Sequence, residues 1–301
     1  MIVPATDSPP TLERCLDALE RSSEPPDELI VVTDPPGRGP AGARNDGAAK
    51  ASSELLAFVD ADVAVDPEAL ARLRAAFADD PALAAAFGAY DDAPADPGAV
   101  SRFRNLLHHH VHTDAAGPAA TFWAGLGAVR RPDFVAAGGF DAERYTEASV
   151  EDIELGMRLR RSGASILLDP WVRGTHLKRW SLSSMVSTDM WRRGVPWMRL
   201  QLEAGRIEGS LNLGWRHRLS ALAALAAALA AIARRPGPAV AALAGMVALN
   251  LRFYALLRRR GGASLALIGV PLHLVHHLTA ACAAATAVGA HALARGRGAD
   301  R

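Results

Sequence analysis

The chain has 301 residues, half of them apolar, with 33 Lys and Arg against 32 Asp and Glu and a net charge of +1. Balanced charge leaves no global basic footprint, which excludes DNA and RNA as partners. The length admits two modest domains or one large one, with ample apolar material for a core.

Cys15 and Cys282 stand in no C-x-x-C or metal-ligand spacing, as expected of reduced thiols. Met1 runs straight into Ile2-Val3 with neither a basic nor an apolar leader region, so no cleaved signal peptide is expected. The N-terminal part is expected in the cytosol.

In chain order, Leu12, Cys15, Leu16 and Leu19 follow one helical face, with Ser8-Pro9 as the expected cap. Leu29-Ile30-Val31-Val32 and Leu55 to Val59 are continuous apolar runs, as strands covered on both faces require. A helix is expected over Gly42 to Ala51. Another is expected from an Asp66 cap with Pro67 in its first turn, burying Leu70, Leu73 and Phe77. Leu83 to Phe87 reads as a strand, Val150 to Arg161 as a helix and Ser165 to Leu168 as a late strand. Alternating strands and helices predict an α/β fold with a mostly parallel, doubly wound sheet. Residues 91 to 121 lack clear periodicity and read as a long irregular insertion, a feature usually tied to function.

The strand Leu55 to Val59 delivers Asp60-Ala61-Asp62 at its carboxyl end, where open α/β sheets bind ligands. In an extended segment the two carboxylates point to the same side, which suits one shared divalent cation. On its own the pair also reads as an acidic turn before a helix. Glu151-Asp152 opens the helix to Arg161, and a helix N-terminus keeps a carboxylate ionised and able to accept a proton.

With Val3 to Asp7, Gly42-Ala43-Arg44-Asn45, Asp60-Ala61-Asp62, Phe122 to Gly125, Gly138 to Asp141 and Glu151-Asp152 in this order, the chain resembles family 2 nucleotide-sugar glycosyltransferases of the GT-A fold. The resemblance covers roughly Ile2 to Trp197. It implies a nucleotide-sugar site of Pro4, Asp7, Asp34, Arg44, Asp60, Trp123 and Arg179. It implies metal ligands Asp62 and His176 for Mg2+ or Mn2+, and Asp152 as general base beside Glu151. Thr6 and Asp7 depart from the family's Tyr and Asn. Locally, Asp34 reads equally as a turn residue before Pro35-Pro36-Gly37, Arg44 as a solvated side chain or a partner of a neighbouring acid, and Trp123 as a core aromatic. Processive relatives carry Gln-x-x-Arg-Trp where this chain has Ser187 to Gly194, so non-processive transfer is expected. His108, His109, His110 and His112 match no established ligand spacing and are expected at the surface or against an acceptor headgroup.

Beyond Glu208, Ala, Leu and Arg dominate, and no carboxylate occurs between Leu211 and Ala299. Three apolar stretches, about 219–235, 237–257 and 263–294, are expected to form two to three membrane segments against a packed helical domain as the alternative. The expected organisation is a catalytic domain over 1–210, with interfacial helices in 178–210, and a membrane region over 211–301. The expected protein is a multi-pass enzyme of the cell membrane with its catalytic domain in the cytoplasm. It would be an inverting glycosyltransferase taking a nucleotide diphosphate sugar to a lipid or lipid-linked acceptor. Its rivals are an inactive nucleotide-sugar-binding scaffold and a nucleotidylyltransferase; the latter ordinarily needs a Gly-rich basic loop that Pro4 to Leu12 does not supply.

Overall fold

The computed structural model describes residues 1–205 and 211–299, so the boundary expected at 210 falls outside the described residues. Two compact units are present: Met1–Asp96 with His108–Arg179, and Pro97–Leu107 with Trp180–Arg301.

The first unit is built in the order β1 (Ile2–Pro4), α1 (Leu12–Glu20), β2 (Ile30–Val32), α2 (Pro40–Lys50), β3 (Leu55–Val59), β4 (Val63–Val65), α3 (Ala69–Asp79) and β5 (Leu83–Tyr90). After α4 (Ala99–Asp114), which contributes to both units, come β6 (Gly117–Pro118), β7 (Leu126–Arg130), α5 (Arg131–Ala136), α6 (Glu151–Arg161) and β8 (Ser165–His176). The sheet runs β2-β1-β3-β7-β5-β8-β4, with β6 on β8. Its β2-β1-β3 half is parallel, whereas β7 runs against both β3 and β5. The sheet is therefore mixed, and β7 inserts between strands expected to be neighbours in one parallel set. Val3, Val59, Val63 and Leu126 pack with Leu70, Leu73 and Phe77 of α3 in one core.

Three local expectations are corrected. The Ser8 and Asp66 caps do not form: α1 starts after Thr11 and α3 after Glu68, neither with a side-chain cap. Val63–Val65 pairs as a strand with Gly174–His176, which carries the chain past Asp66 before α3 begins. The irregular insertion is instead largely α4, and its histidines are not at the surface. His109, His110 and His112 are buried, and His109 Nδ1 meets Tyr90 O at 2.8 Å while His112 Nδ1 meets Gly88 O at 3.0 Å. These contacts satisfy ring nitrogens that burial would otherwise strand.

In the second unit, α7 (Leu182–Ser187), a π-helix (Thr188–Gly194) and α8 (Val195–Glu203) precede α9 (Trp215–Ile232), α10 (Pro236–Leu249) and α11 (Leu251–Ala299). Gly262 breaks α11 at φ 72°, a left-handed conformation that glycine takes without a Cβ penalty. Among the polar residues interrupting the apolar stretches, Asn250, His273, His276 and His277 are buried, whereas Arg252 is exposed. Asn250 Nδ2 donates to Ser220 Oγ at 2.8 Å and Tyr254 Oη lies 3.0 Å from His273 Nδ1. Asp189 lies 2.7 Å from Arg104 Nη2 and 2.9 Å from His276 Nδ1. Burial pushes the Asp189 carboxyl up, but Arg104 and His276 outweigh it and hold it well below the usual range. Among the described residues one helix, Leu251–Arg295, is long and apolar enough to cross a membrane.

Candidate active site

The site forms at the carboxyl ends of the parallel strands β1, β2 and β3. Pro4 ends β1 opposite Val32 of β2, with Asp7 and Asp34 exposed just beyond. Asp60 and Asp62 follow β3 and keep 31% and 28% of their side-chain surfaces exposed, so both are open to a ligand. Burial raises Asp60, Arg44 pulls it back, and Asp62 and Glu151 add to the rise; the balance is upward. For Asp62 burial also pushes upward, yet His176 and Lys178 outweigh it and the carboxyl stays below its ordinary range.

His176 reaches Asp62 through a pairing that sequence reading missed. Because Val63 pairs with His176, the end of β8 lies beside the end of β3's acidic turn, and His176 Nε2 sits 3.3 Å from Asp62 Oδ2. Leu177 N donates to Asp62 O at 2.8 Å and fixes that register. The imidazole stacks on Tyr90, with centroids 4.2 Å apart and rings within 9° of parallel. Tyr90 in turn packs edge-on to Trp123, which also meets His108. Tyr90 closes the apolar run of β5, and only that position at a strand's carboxyl end marked it.

Arg44 is buried, and its guanidinium bridges two acids from distant elements. Nη2 donates to Asp60 Oδ1 at 2.6 Å and Nη1 to Glu151 Oε1 at 2.9 Å. Burial opposes its charge, but Asp60 and Glu151 hold it firmly protonated. Of the readings open for Arg44, a partner for neighbouring acids is the one observed. Asn45 next to it pairs with Phe140 in both directions, Nδ2 to O at 2.7 Å and N to Oδ1 at 2.9 Å. Arg158 of α6 holds Ala137 O and Gly139 O of the same turn.

Asp152 sits in the first turn of α6 and accepts from Ala124 N at 3.1 Å and Ile153 N at 2.8 Å. Burial, then the charge of Glu151, raises its carboxyl, and Arg44 and the two backbone donors only partly offset this, leaving it at about 7. A base near neutrality is matched to taking a hydroxyl proton at cellular pH. The turn that donates to it is itself tied to the acidic pair, since Asp60 N donates to Gly125 O at 3.1 Å.

Gly156 lets α6 approach this turn. A Cβ there would lie 2.2 Å from Phe122 N and 2.6 Å from Thr121 C, both backbone atoms. Gly156→Ala is expected to push α6 away, costing about 1–3 kcal/mol of stability and loosening the Ala124 to Asp152 bond. Thermal unfolding and transfer rates on the same preparation check it, and unchanged values for both would refute the close-approach argument.

Asp34 and Arg179 also lie outside this network. Asp34 accepts from Thr33 Oγ1 at 3.2 Å, and Arg179 is exposed with Asp96 at 4.0 Å.

Residues 35–131 match the glycosyl transferase family 2 model. That stretch, about a third of the chain, is similar to the family 2 glycosyl transferases. The match takes in Arg44, Asp60, Asp62 and Trp123 and stops before the Glu151-Asp152 helix. Among solved structures, the mannosyltransferase PcManGT from Pyrobaculum calidifontis, in complex with GDP-Man and Mn2+, is 20% identical, covers 95% of this chain and 86% of its own, with a TM-score of 0.55. That likeness gives the domain its GT-A fold. The S. aureus TarS fragment 1-349 is 17% identical over 92% of this chain and 89% of its own, with a TM-score of 0.44. No curated protein matches the chain.

Proposed function

We propose that this glycosyltransferase moves a sugar from a nucleotide diphosphate sugar to a membrane-associated or lipid-linked acceptor, with inversion and without processive extension. The observation that carries the reading is the Arg44 bridge, which holds the donor-side Asp60 and the base-bearing start of α6 in one buried network. A mannosyltransferase of like fold that is in complex with GDP-Man and Mn2+ supports a nucleotide-linked donor and a divalent cation.

No group of three or more His, Cys, Asp or Glu placed to hold a metal occurs among the described residues. Asp62 and His176 make a pair instead, and one or two protein donors plus substrate phosphates are how Mg2+-type ions are commonly held. The residues therefore fit a cation completed by the donor diphosphate. When bound, it would supply positive charge against the leaving diphosphate. Lys178, whose charge already acts on Asp62, would add to it.

In the proposed step an acceptor oxygen attacks the anomeric carbon in line with the leaving group. The bond from that carbon to the diphosphate oxygen breaks, its electron pair stays on the nucleotide diphosphate, and Asp152 takes the acceptor's proton. Pro4, Asp7 and Asp34 face the nucleoside, and Trp123 offers its ring to a sugar. The family's processive motif is absent at Ser187 to Gly194, where Asp189 is spent on a buried ion pair. The helical second unit, through Leu251–Arg295, would hold the enzyme at the membrane with its catalytic unit in the cytoplasm.

Calorimetry with UDP and GDP, each with and without Mn2+, tests the donor half. Metal-dependent binding is expected for the native chain and its loss for Asp62→Asn. Binding indifferent to Mn2+ in the native chain would sink the donor assignment.

A further inference from the structure

Helix α9 is built the wrong way round for a water-soluble helix. Its buried residues are the small Ser220, Ala224 and Ala227, spaced i, i+4, i+7. The large ones, Leu222, Leu225, Leu229 and Ile232, fall at i, i+3, i+7, i+10 on the other side and are 63%, 40%, 56% and 79% exposed. A helix of a soluble protein turns its apolar stripe inward, and helices in lipid turn small residues toward each other. Ser220 shows the inward contact directly, through its bond from Asn250.

The ends of the stripe are basic. Arg216 and Arg218 precede it, Arg234 and Arg235 follow it, and the sequence from Leu211 to Ala299 holds no carboxylate. Arg218 lies over Trp215, 5.1 Å from the ring centroid, and Trp215 is exposed, an aromatic and cation pair suited to the headgroup layer. Between the two arginine pairs stand 15 uncharged residues, Leu219 to Ala233. At 1.5 Å per residue these reach about 22 Å, against a hydrocarbon core of about 30 Å. Crossing would pull one arginine pair toward the apolar core, whereas lying in the plane keeps both pairs at the phosphates.

We propose that α9 lies in the plane of one anionic membrane leaflet, its leucine stripe in the acyl region and its four arginines on the lipid phosphates. The inference deepens the membrane part of the proposed function and makes α9 a surface-seated helix, not one of the crossing segments.

The test uses the full chain carrying Cys282→Ser in phosphatidylcholine vesicles with and without phosphatidylglycerol. One cysteine is added at Gly237→Cys, just past α9, or at Lys50→Cys on the catalytic unit. Both positions are expected to react to the same extent with an impermeant maleimide applied outside. Complementary extents, summing to the whole, would mean that α9 crosses and would overturn the proposal. A fluorophore at Leu229→Cys is expected to be quenched by lipids brominated on their acyl chains, more strongly with phosphatidylglycerol present. Absence of quenching would overturn it too, and would point to a second copy or another protein over the stripe. Glycosyl transfer in detergent micelles does not depend on this contact, so its failure would strike the transferase reading alone.

Discussion

Asp152→Asn is expected to lower glycosyl transfer by about 10²–10⁴-fold while leaving nucleotide binding in place, because the amide keeps the shape and loses the proton acceptor. The native enzyme should also show an acid limb in its pH profile. The Asp152 carboxyl sits at about 7, raised first by burial and then by Glu151, and only its ionised form accepts a proton. The sign follows directly. Below about 7 the protonated form dominates, and the rate should fall tenfold for each pH unit; above it the rate should level off. Transfer by Asp152→Asn within a few-fold of native, measured in membranes over this range, would refute the base assignment. So would a native profile flat from acid to neutral pH.

Arg44→Met is expected to be the most damaging single change in the catalytic unit. It removes the shared cation of Asp60 and Glu151 and leaves Glu151, 5% exposed, as an unpaired buried acid. Removing one partner of a buried ion pair costs about 3–5 kcal/mol, a large share of the stability of a domain. Activity should fall further than folding alone explains, since Asp60 and α6 lose the link that sets their separation. Arg44→Lys provides the finer test. One ammonium lacks the planar fork whose two nitrogens fix the spacing of the carboxylates, so rescue of folding should exceed rescue of turnover. Arg44 also pulls the Asp152 carboxyl down, so any residual activity of Arg44→Met should show its acid limb at higher pH. A variant with native melting and native turnover would show that the bridge is incidental.

Some of this site was readable along the chain because its signals are local. A continuous apolar run followed by Asp60-Ala61-Asp62 announces a buried strand with acids at its end, and β3 is found over Leu55–Val59. The 3.6-residue spacing of Leu70, Leu73 and Phe77 places them on one face, and all three are buried in α3. Acids in a first turn mark a helix start, and α6 begins at Glu151. The histidines of α4 went the other way, since their partners Tyr90 O and Gly88 O belong to a strand some twenty residues earlier.

What the amino-acid order determined by itself was the identity of several elements, β3, α3 and α6 among them, the acidic pairs at their ends and the basic, carboxylate-free C-terminal third. Periodicity, capping chemistry and composition act over a few residues and need no partner. What only the tertiary structure decided was which of those groups meet. Asp62 and His176 are 114 residues apart and are joined by the register of β4 on β8, while Arg44 and Glu151 are 107 apart and are joined beside Asp60, at the carboxyl end of β3. A strand's register and a buried ion pair are set by the packing of the whole sheet, and a one-residue slip of β8 would turn His176 to the other face.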